Sequence, residues 1–141
     1  MKKLSASPAV IVAILVTLTV SCDDNNEAAP VLDGSYSGKF VRIHPRALSV
    51  TSDVNIDFND GTFEGSSSKP KYPGICNGTY TPFGNTITFA NKCHWTTEFD
   101  GTFVLDGKFS ITRTSDGVIL SRTYPHGAVD RYILRRDLTR R

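Results

Sequence analysis

The chain has 141 residues, of which 39% are hydrophobic, and its formal net charge is +2. This length suits one domain with a hydrophobic core and is too short for two such domains. Sixteen basic residues against fourteen acidic ones leave almost no cationic excess for a phosphate backbone, which argues against a nucleic-acid partner.

The first 21 residues have the layout of an export signal. Lys2 and Lys3 precede an uncharged, apolar run over residues 9–20, which ends at the small residue Ser21. The run is shorter than the roughly 20 apolar residues that a transmembrane helix requires. We therefore predict a signal peptide over residues 1–21, whose removal leaves equal numbers of basic and acidic residues.

A lipid attachment site follows this leader. The segment Leu18-Thr19-Val20-Ser21-Cys22 resembles a lipobox, at which bacterial lipoprotein precursors are lipidated on cysteine and cut just before it. We expect Cys22 to anchor the protein to the outer membrane of the cell envelope, because several acyl chains give stable attachment. Thr19 stands where leucine is commonest, so ordinary cleavage at another position is the alternative.

Residues 22–32 are predicted to form a flexible acidic tether. Residues 23–30 are polar, acidic and small, and they show no apolar periodicity. A similar stretch after the lipid cysteine is a surface-export signal in Bacteroidota lipoproteins, although elsewhere an aspartate there can mean inner-membrane retention. Exposure at the cell surface is the hypothesis that follows from this resemblance, and the folded domain is predicted over residues 33–141.

From residue 34 onward the pattern predicts β-strands joined by tight turns. In the clearest strand, residues 48–58, apolar side chains share one parity and polar ones the other, so one face is buried. The next residues, Asn59-Asp60-Gly61, carry the strongest short hairpin signal, which Asp106-Gly107 and Asp116-Gly117 repeat. The apolar residues of the first strand are Leu48, Val50, Val54, Ile56 and Phe58.

The second half of the domain is predicted to contain further strands. We expect one long strand from about Trp95 to Leu105, bent by a bulge at Gly101. Residues 118–123 and 129–135 form the last two strands, and no segment has a helical period with caps. Eight to ten strands joined by short turns predict an all-β fold, a sandwich or a barrel. We favour an antiparallel up-and-down barrel, because closure removes exposed sheet edges.

Several strand–turn fragments have the order and spacing of a known family. The domain resembles the small lipocalin-like β-barrel lipoproteins of Bacteroidota, and the match spans most of residues 34–110. The resemblance implies a barrel fold and a lipid-anchored location, and it supplies no catalytic residues. The matching fragments are Gly34-Ser35-Tyr36-Ser37-Gly38, Asp60-Gly61-Thr62-Phe63-Glu64-Gly65, Gly78-Thr79-Tyr80, Thr86-Ile87-Thr88-Phe89 and residues 95–107.

The two cysteines that remain after Cys22 are expected to form a disulfide, as is usual in an exported protein. A two-residue turn at Gly84-Asn85 would pair Tyr80 with Phe89 and place Cys76 opposite Cys93. The loop that such a bond closes is worth roughly 3 kcal/mol in the chain-entropy model. A metal site that adds His94 is the alternative, but no C-x-x-C spacing supports it.

Nothing in the sequence predicts an enzyme or a cofactor. The histidines at positions 44, 94 and 126 lie in no H-E-x-x-H pattern, and no G-x-S-x-G motif is present. Trp95 shares parity with Cys93 and Phe99, which predicts a core position, where its ring either packs or lines a ligand cavity. The candidate core or cavity-lining residues are Tyr36, Phe40, Val54, Ile56, Tyr80, Phe89, Trp95 and Phe99, with Phe109 and Ile111 beside them.

Two hypotheses for function follow. In the first, the barrel binds a small apolar or amphipathic ligand inside, as eight-stranded barrels can. In the second, the barrel is filled with its own side chains, and its outer loops engage a protein or glycan partner. Cavity volume distinguishes the two hypotheses.

Overall fold

The computed structural model describes residues 32–138. The predicted leader, Cys22 and nearly all of the predicted tether lie outside the described residues. The described part is all-β and contains eight strands and one short 3-10 helix at Gly101–Phe103. The strands are β1 Gly34–Ile43, β2 Val50–Asn59, β3 Thr62–Ser67, β4 Asn77–Phe83, β5 Thr86–Asn91, β6 Gly107–Arg113, β7 Gly117–Thr123 and β8 Val129–Arg136.

The strands form a closed antiparallel barrel in the order β1 to β8, which confirms the predicted up-and-down architecture. Each strand pairs with its neighbour in sequence, and β1 pairs with β8 to close the ring. The hairpin between β2 and β3 has Asp60 at φ 40° and Gly61 at φ 77°, as its sequence signal predicts. Tyr80 pairs with Phe89 across β4 and β5, in the predicted register.

The alternating connections give the barrel two unlike ends. At the short-turn end, tight turns join β2 to β3, β4 to β5 and β6 to β7, and β1 begins there. At the long-loop end, the connections are residues 44–49, 68–76, 92–106 and 124–128. We use these two names below.

Large side chains fill the barrel interior. Phe58 contacts Tyr36 edge-on at a ring-centroid distance of 5.4 Å and Tyr80 at 5.2 Å. Phe89 in turn meets Phe63 at 5.2 Å and Phe109 at 5.7 Å. Edge-to-face pairs of this kind add stabilisation beyond the area they bury. The interior is therefore one continuous aromatic and aliphatic core.

The core begins one residue before the predicted domain boundary. Leu32, which the sequence places in the tether, is 1% exposed and belongs to the core. Its carbonyl oxygen accepts a hydrogen bond from the hydroxyl of Tyr80. Burial of this hydroxyl raises the pKa of Tyr80. The folded unit thus includes Leu32, which helps to close the short-turn end.

The predicted strand from Trp95 to Leu105 is wrong. After Asn91 the chain leaves the sheet, and the carboxylate of Asp100 accepts from the Thr102 N–H, which caps the 3-10 turn. The three polar residues 96–98 interrupt the apolar alternation, so a strand there would have no continuous apolar face to bury against the core. The sheet resumes only at Gly107, where β6 pairs with β5.

Two finer predictions also need correction. Leu48 is 93% exposed, because it precedes the first paired residue of β2, Val50, and has no core to pack against. Asp106-Gly107 is not a hairpin turn, although Gly107 has the expected positive φ of 79°. Asp106 instead accepts a hydrogen bond from the Asn91 N–H at 2.8 Å and so ties the end of β5 to the start of β6.

The predicted disulfide is confirmed. Cys76 and Cys93 are bonded, with a Cα–Cα distance of 6.3 Å. The register of β4 and β5, extended by the Lys92 N–H to Asn77 carbonyl bond, brings them together. Across residues 32–138, no helix is both long and apolar enough to cross a membrane.

Candidate functional site

A buried polar cluster lies inside the barrel at the long-loop end. Asp130, near the start of β8, is 1% exposed, and Arg42, near the end of β1, is 8% exposed. The guanidinium of Arg42 donates to both carboxylate oxygens, from Nε at 2.6 Å and from Nη2 at 2.8 Å. These two strands are hydrogen-bonded neighbours that pair Arg42 with Asp130 directly. Barrel closure therefore assembles this ion pair.

Other groups add hydrogen bonds to Asp130 and Arg42. The hydroxyl of Tyr124 lies 2.9 Å from Asp130 Oδ2, and Arg122 Nη2 lies 3.4 Å from the same oxygen. Arg42 Nη2 also donates to the carbonyl oxygen of Thr102 at 2.7 Å. Thr102 belongs to the 3-10 turn, so the cluster holds loop 92–106 down over the mouth of the barrel.

The two arginines also stack on aromatic rings. The Arg42 guanidinium carbon lies 3.6 Å from the centre of the Phe103 ring and 5.0 Å from that of Tyr124. The guanidinium carbon of Arg122 lies 4.5 Å from the centre of the Phe109 ring. Desolvated contacts of this kind contribute more than exposed ones. The polar cluster is thereby sandwiched between the core and the loops above it.

Protonation in the cluster follows from burial and charge. Burial, reinforced by the charge of Asp130, raises the pKa of Tyr124 to about 12. Burial alone would lower the pKa of Arg42, but its hydrogen bond with Asp130 and the carboxylate charge outweigh burial and raise that pKa. A neutral tyrosine and a charged arginine are accordingly the stable forms, and the cluster is suited to holding structure rather than to exchanging protons at neutral pH.

Two long loops are joined into one cover over this end. Gly74 donates its N–H to the Phe103 carbonyl at 3.0 Å and accepts from the Leu105 N–H at 2.9 Å. A Cβ at Gly74 would lie 2.7 Å from the ring of Phe99 and 3.0 Å from that of Trp95. The Cys76–Cys93 bond links the same two loops covalently. Backbone pairing, ring packing and the disulfide together make the cover rigid.

The outer side of the long-loop end is rich in aromatic rings, which we call the aromatic surface. Trp95 and Phe99 stack with their ring centroids 4.5 Å apart. Tyr72 lies 5.7 Å from Phe103, and a second group of rings lies on the loops beside β1 and β8. Six of these residues are half-buried and His126 is exposed, so part of each residue is in contact with solvent. The surface comprises His44, Tyr72, Trp95, Phe99, Phe103, Tyr124 and His126.

The structure divides the residues predicted to form a core or line a cavity into two groups. The buried group packs together in the barrel interior and comprises Tyr36, Phe40, Val54, Ile56, Tyr80 and Phe89. Phe109 is buried with them, and Ile111 packs against the core from its edge. Trp95 and Phe99 are instead half-buried on the aromatic surface, because loop 92–106 runs outside the sheet.

Two of the histidines also belong to the long-loop end. His44 and His126 lie 5.8 Å apart, and His126 stacks on Tyr124 at 5.4 Å. His94 is exposed on loop 92–106. Within residues 32–138, no group of three or more His, Cys, Asp or Glu side chains is arranged to hold a metal ion. Cys76 and Cys93 are bonded to each other, as predicted, so their sulfur atoms are not free to bind a metal together with His94.

The buried cluster is what the sequence reasoning missed. Arg42 has the same strand parity as the core residues Tyr36 and Phe40, and Asp130 has that of Tyr132. A charged residue at an inward-facing position is expensive unless it has a partner. That signal is present in both strands, and their adjacency in a closed barrel supplies the partner.

Comparisons with protein-family models, with curated proteins and with solved structures found no match.

Proposed function

We propose that this protein is a cell-envelope lipoprotein whose filled β-barrel is an interaction module. In this proposal, Cys22 carries the lipid, and the aromatic surface engages a protein or glycan partner. The observation that carries the proposal is the contrast between a packed interior and a solvent-accessible aromatic surface at one end.

The packed interior argues against an internal ligand. Six of the eight residues expected to line a cavity contact one another or their neighbours in a single core. At one end Leu32 is buried over this core, and at the other Arg42, Asp130 and loop 92–106 cover it. A ligand would have to displace both large rings and a satisfied ion pair. The filled-barrel hypothesis is accordingly favoured over the carrier hypothesis.

The aromatic surface has the composition of a recognition site. Tyrosine, tryptophan and arginine dominate the binding energy of protein interfaces, and rings with an exposed face also stack on sugars. Trp95 and Phe99 are held by Gly74 and by the disulfide-linked loops, so little conformational entropy remains to be lost on binding. Pre-organised rings of this kind favour affinity for a partner.

The ends of the barrel also suit an anchored module. Strand β1 begins at the short-turn end, so a tether from Cys22 to Leu32 reaches the barrel there. The long-loop end then faces away from the membrane. This orientation presents the aromatic surface to partners on the far side of the envelope layer or outside the cell.

Affinity measurements on matched variants test the proposal. A partner is captured by crosslinking in envelope fractions, identified as protein or glycan, and titrated against the purified full-length protein in detergent. Replacing both Trp95 and Phe99 by alanine should weaken binding by about 30-fold, the effect of losing a hot spot of roughly 2 kcal/mol. The matched control is Phe83→Ala, which removes an exposed ring from the opposite end and should leave affinity unchanged.

Two results would count against the proposal. Equal losses from the two variants would mean that the long-loop end is not the recognition surface. A small molecule retained by the natively purified protein in native mass spectrometry would restore the carrier hypothesis. Thermal unfolding of each variant shows whether a loss of affinity reflects a loss of fold.

A further inference from the structure

The short-turn end carries two large apolar side chains that nothing in the described chain covers. Phe83, the last residue of β4, is 80% exposed. Leu138, two residues beyond the end of β8, is 82% exposed. Leaving such side chains in water forgoes about 2 kcal/mol each of burial free energy. Two such side chains at the same end of the barrel suggest a partner there.

The positions of these side chains restrict the shape of that partner. The barrel has eight strands in sequential order, so β4 and β8 are four strands apart and lie on opposite sides of the ring. Phe83 and Leu138 are therefore at opposite edges of the same end. A small ligand cannot contact both, whereas a flat surface can. This geometry favours a planar partner.

The charges on this end favour an apolar contact over an electrostatic one. Among the described residues, the end carries Arg113, Arg135 and Arg136, but also several aspartates. Arg135 Nε already lies 3.1 Å from Asp116 Oδ2. Because the two signs nearly cancel among the described residues, these residues give a strongly anionic or cationic surface little to bind. The described part of this end therefore favours contact through its apolar side chains.

We propose that the short-turn end docks on the lipid bilayer, with Phe83 and Leu138 at the boundary between headgroups and acyl chains. This inference rests on the lipid anchor of the proposed function. The ten Cα–Cα steps from Cys22 to Leu32 span at most about 35 Å when fully extended, and on average about half that distance. The anchor thus holds this end beside the membrane at a millimolar effective concentration, where even a weak apolar contact is populated.

Docking has a consequence for the opposite end. With two contacts on opposite sides of the ring and the tether near β1, the barrel stands on its end rather than lying on its side. The aromatic surface is then held at the full height of the barrel above the membrane. Docking would in this way orient the recognition surface as well as anchor it.

The single tryptophan of the chain makes the proposal testable by fluorescence. Three proteins are purified from host membranes with their lipid and are reconstituted into phosphatidylcholine vesicles with brominated acyl chains. The first is the natural protein, whose only tryptophan, Trp95, lies at the long-loop end. The second combines Phe83→Trp with Trp95→Phe, which moves the single tryptophan to the short-turn end. A third combines Leu138→Trp with Trp95→Phe.

The expected result is quenching with a blue shift for the probes at positions 83 and 138, and no quenching for Trp95. Equal emission from all three proteins, or quenching at only one of the two positions, would overturn planar docking. Intact mass and vesicle flotation identify the cause of a failure. A protein without acyl chains would refute the anchor and docking together, whereas a lipidated, floating protein with unquenched probes would refute docking alone.

Discussion

The buried ion pair at the long-loop end gives the sharpest prediction on stability. Asp130→Asn removes the negative charge but keeps the size of the side chain, so Arg42 and Arg122 face a neutral amide. Asp130 is 1% exposed and accepts two hydrogen bonds from Arg42, at 2.6 and 2.8 Å. Removing one member of such a pair costs about 3–5 kcal/mol, since it leaves a buried charge without compensation. We expect about 3 kcal/mol, because Arg42 keeps its contacts with Thr102.

A double-mutant cycle isolates the interaction from general damage. Arg42→Met, Asp130→Asn and the double variant are unfolded in urea under oxidising conditions and followed by circular dichroism. With a slope near 1.5 kcal/mol per molar, the loss of 3 kcal/mol moves the midpoint by about 2 M. The double variant should be less destabilised than the sum of the single variants, because it contains no uncompensated arginine at position 42. A loss below about 1 kcal/mol for Asp130→Asn, or strictly additive losses, would show that the Arg42–Asp130 ion pair does not stabilise the fold as a unit.

Three other predictions follow from the same end of the barrel. The raised pKa of Tyr124 means that the neutral form of this side chain stabilises the fold. The free energy of unfolding should therefore stay constant with respect to this group up to about pH 10 and fall as the pH approaches 12. Tyrosinate absorbance that rises fully near pH 10 in the folded protein would contradict this. Replacing Cys76 and Cys93 by serine should lower the free energy of unfolding by about 3 kcal/mol and speed amide hydrogen exchange in loops 68–76 and 92–106. Unchanged exchange in these loops would show that the disulfide does not stabilise the cover. Gly74→Ala should displace the Phe99 ring and change both tryptophan emission and partner affinity. The matched control is Gly84→Ala at the short-turn end. Gly84 has open space around it, so alanine there should cost only the backbone strain of its positive φ.

The sequence was informative wherever local chemistry decides the structure. The alternation of side chains in β2 is a local signal, and so is the pair Asp60-Gly61, which tolerates positive φ. The strand and its turn could therefore be predicted from the sequence. The cysteine pairing also followed, because the Gly84-Asn85 turn sets the register of the two strands that it joins. A chain of such hairpins predicts the closed barrel.

Loop 92–106 could not be predicted in this way. Trp95 and Phe99 share the parity of one strand face, but their rings pack on the backbone of Gly74, which lies about twenty residues earlier. The parallel bridge between Gly74 and Val104 is likewise a contact between loops. The odd or even position of a residue along a strand indicates which side chains share a face. It does not indicate which part of the protein packs against that face.

The filled interior and the buried cluster depend on closure. Alternation places Phe89 inside the barrel, but whether a cavity remains depends on how its ring meets Phe63 and Phe109 from other strands. Arg42 and Asp130 are separated by 88 residues and meet only because β1 pairs with β8. Long-range geometry of this kind is not encoded in any short segment.

Site-specific photocrosslinking in intact host cells tests whether the long-loop end binds a partner while the short-turn end contacts the membrane. A benzophenone amino acid is placed at position 99, on the aromatic surface, or at position 83, at the short-turn end. We predict crosslinks to a protein or glycan from position 99 and crosslinks to lipid from position 83. Lipid crosslinks from position 99, with the partner captured from position 83, would contradict this prediction.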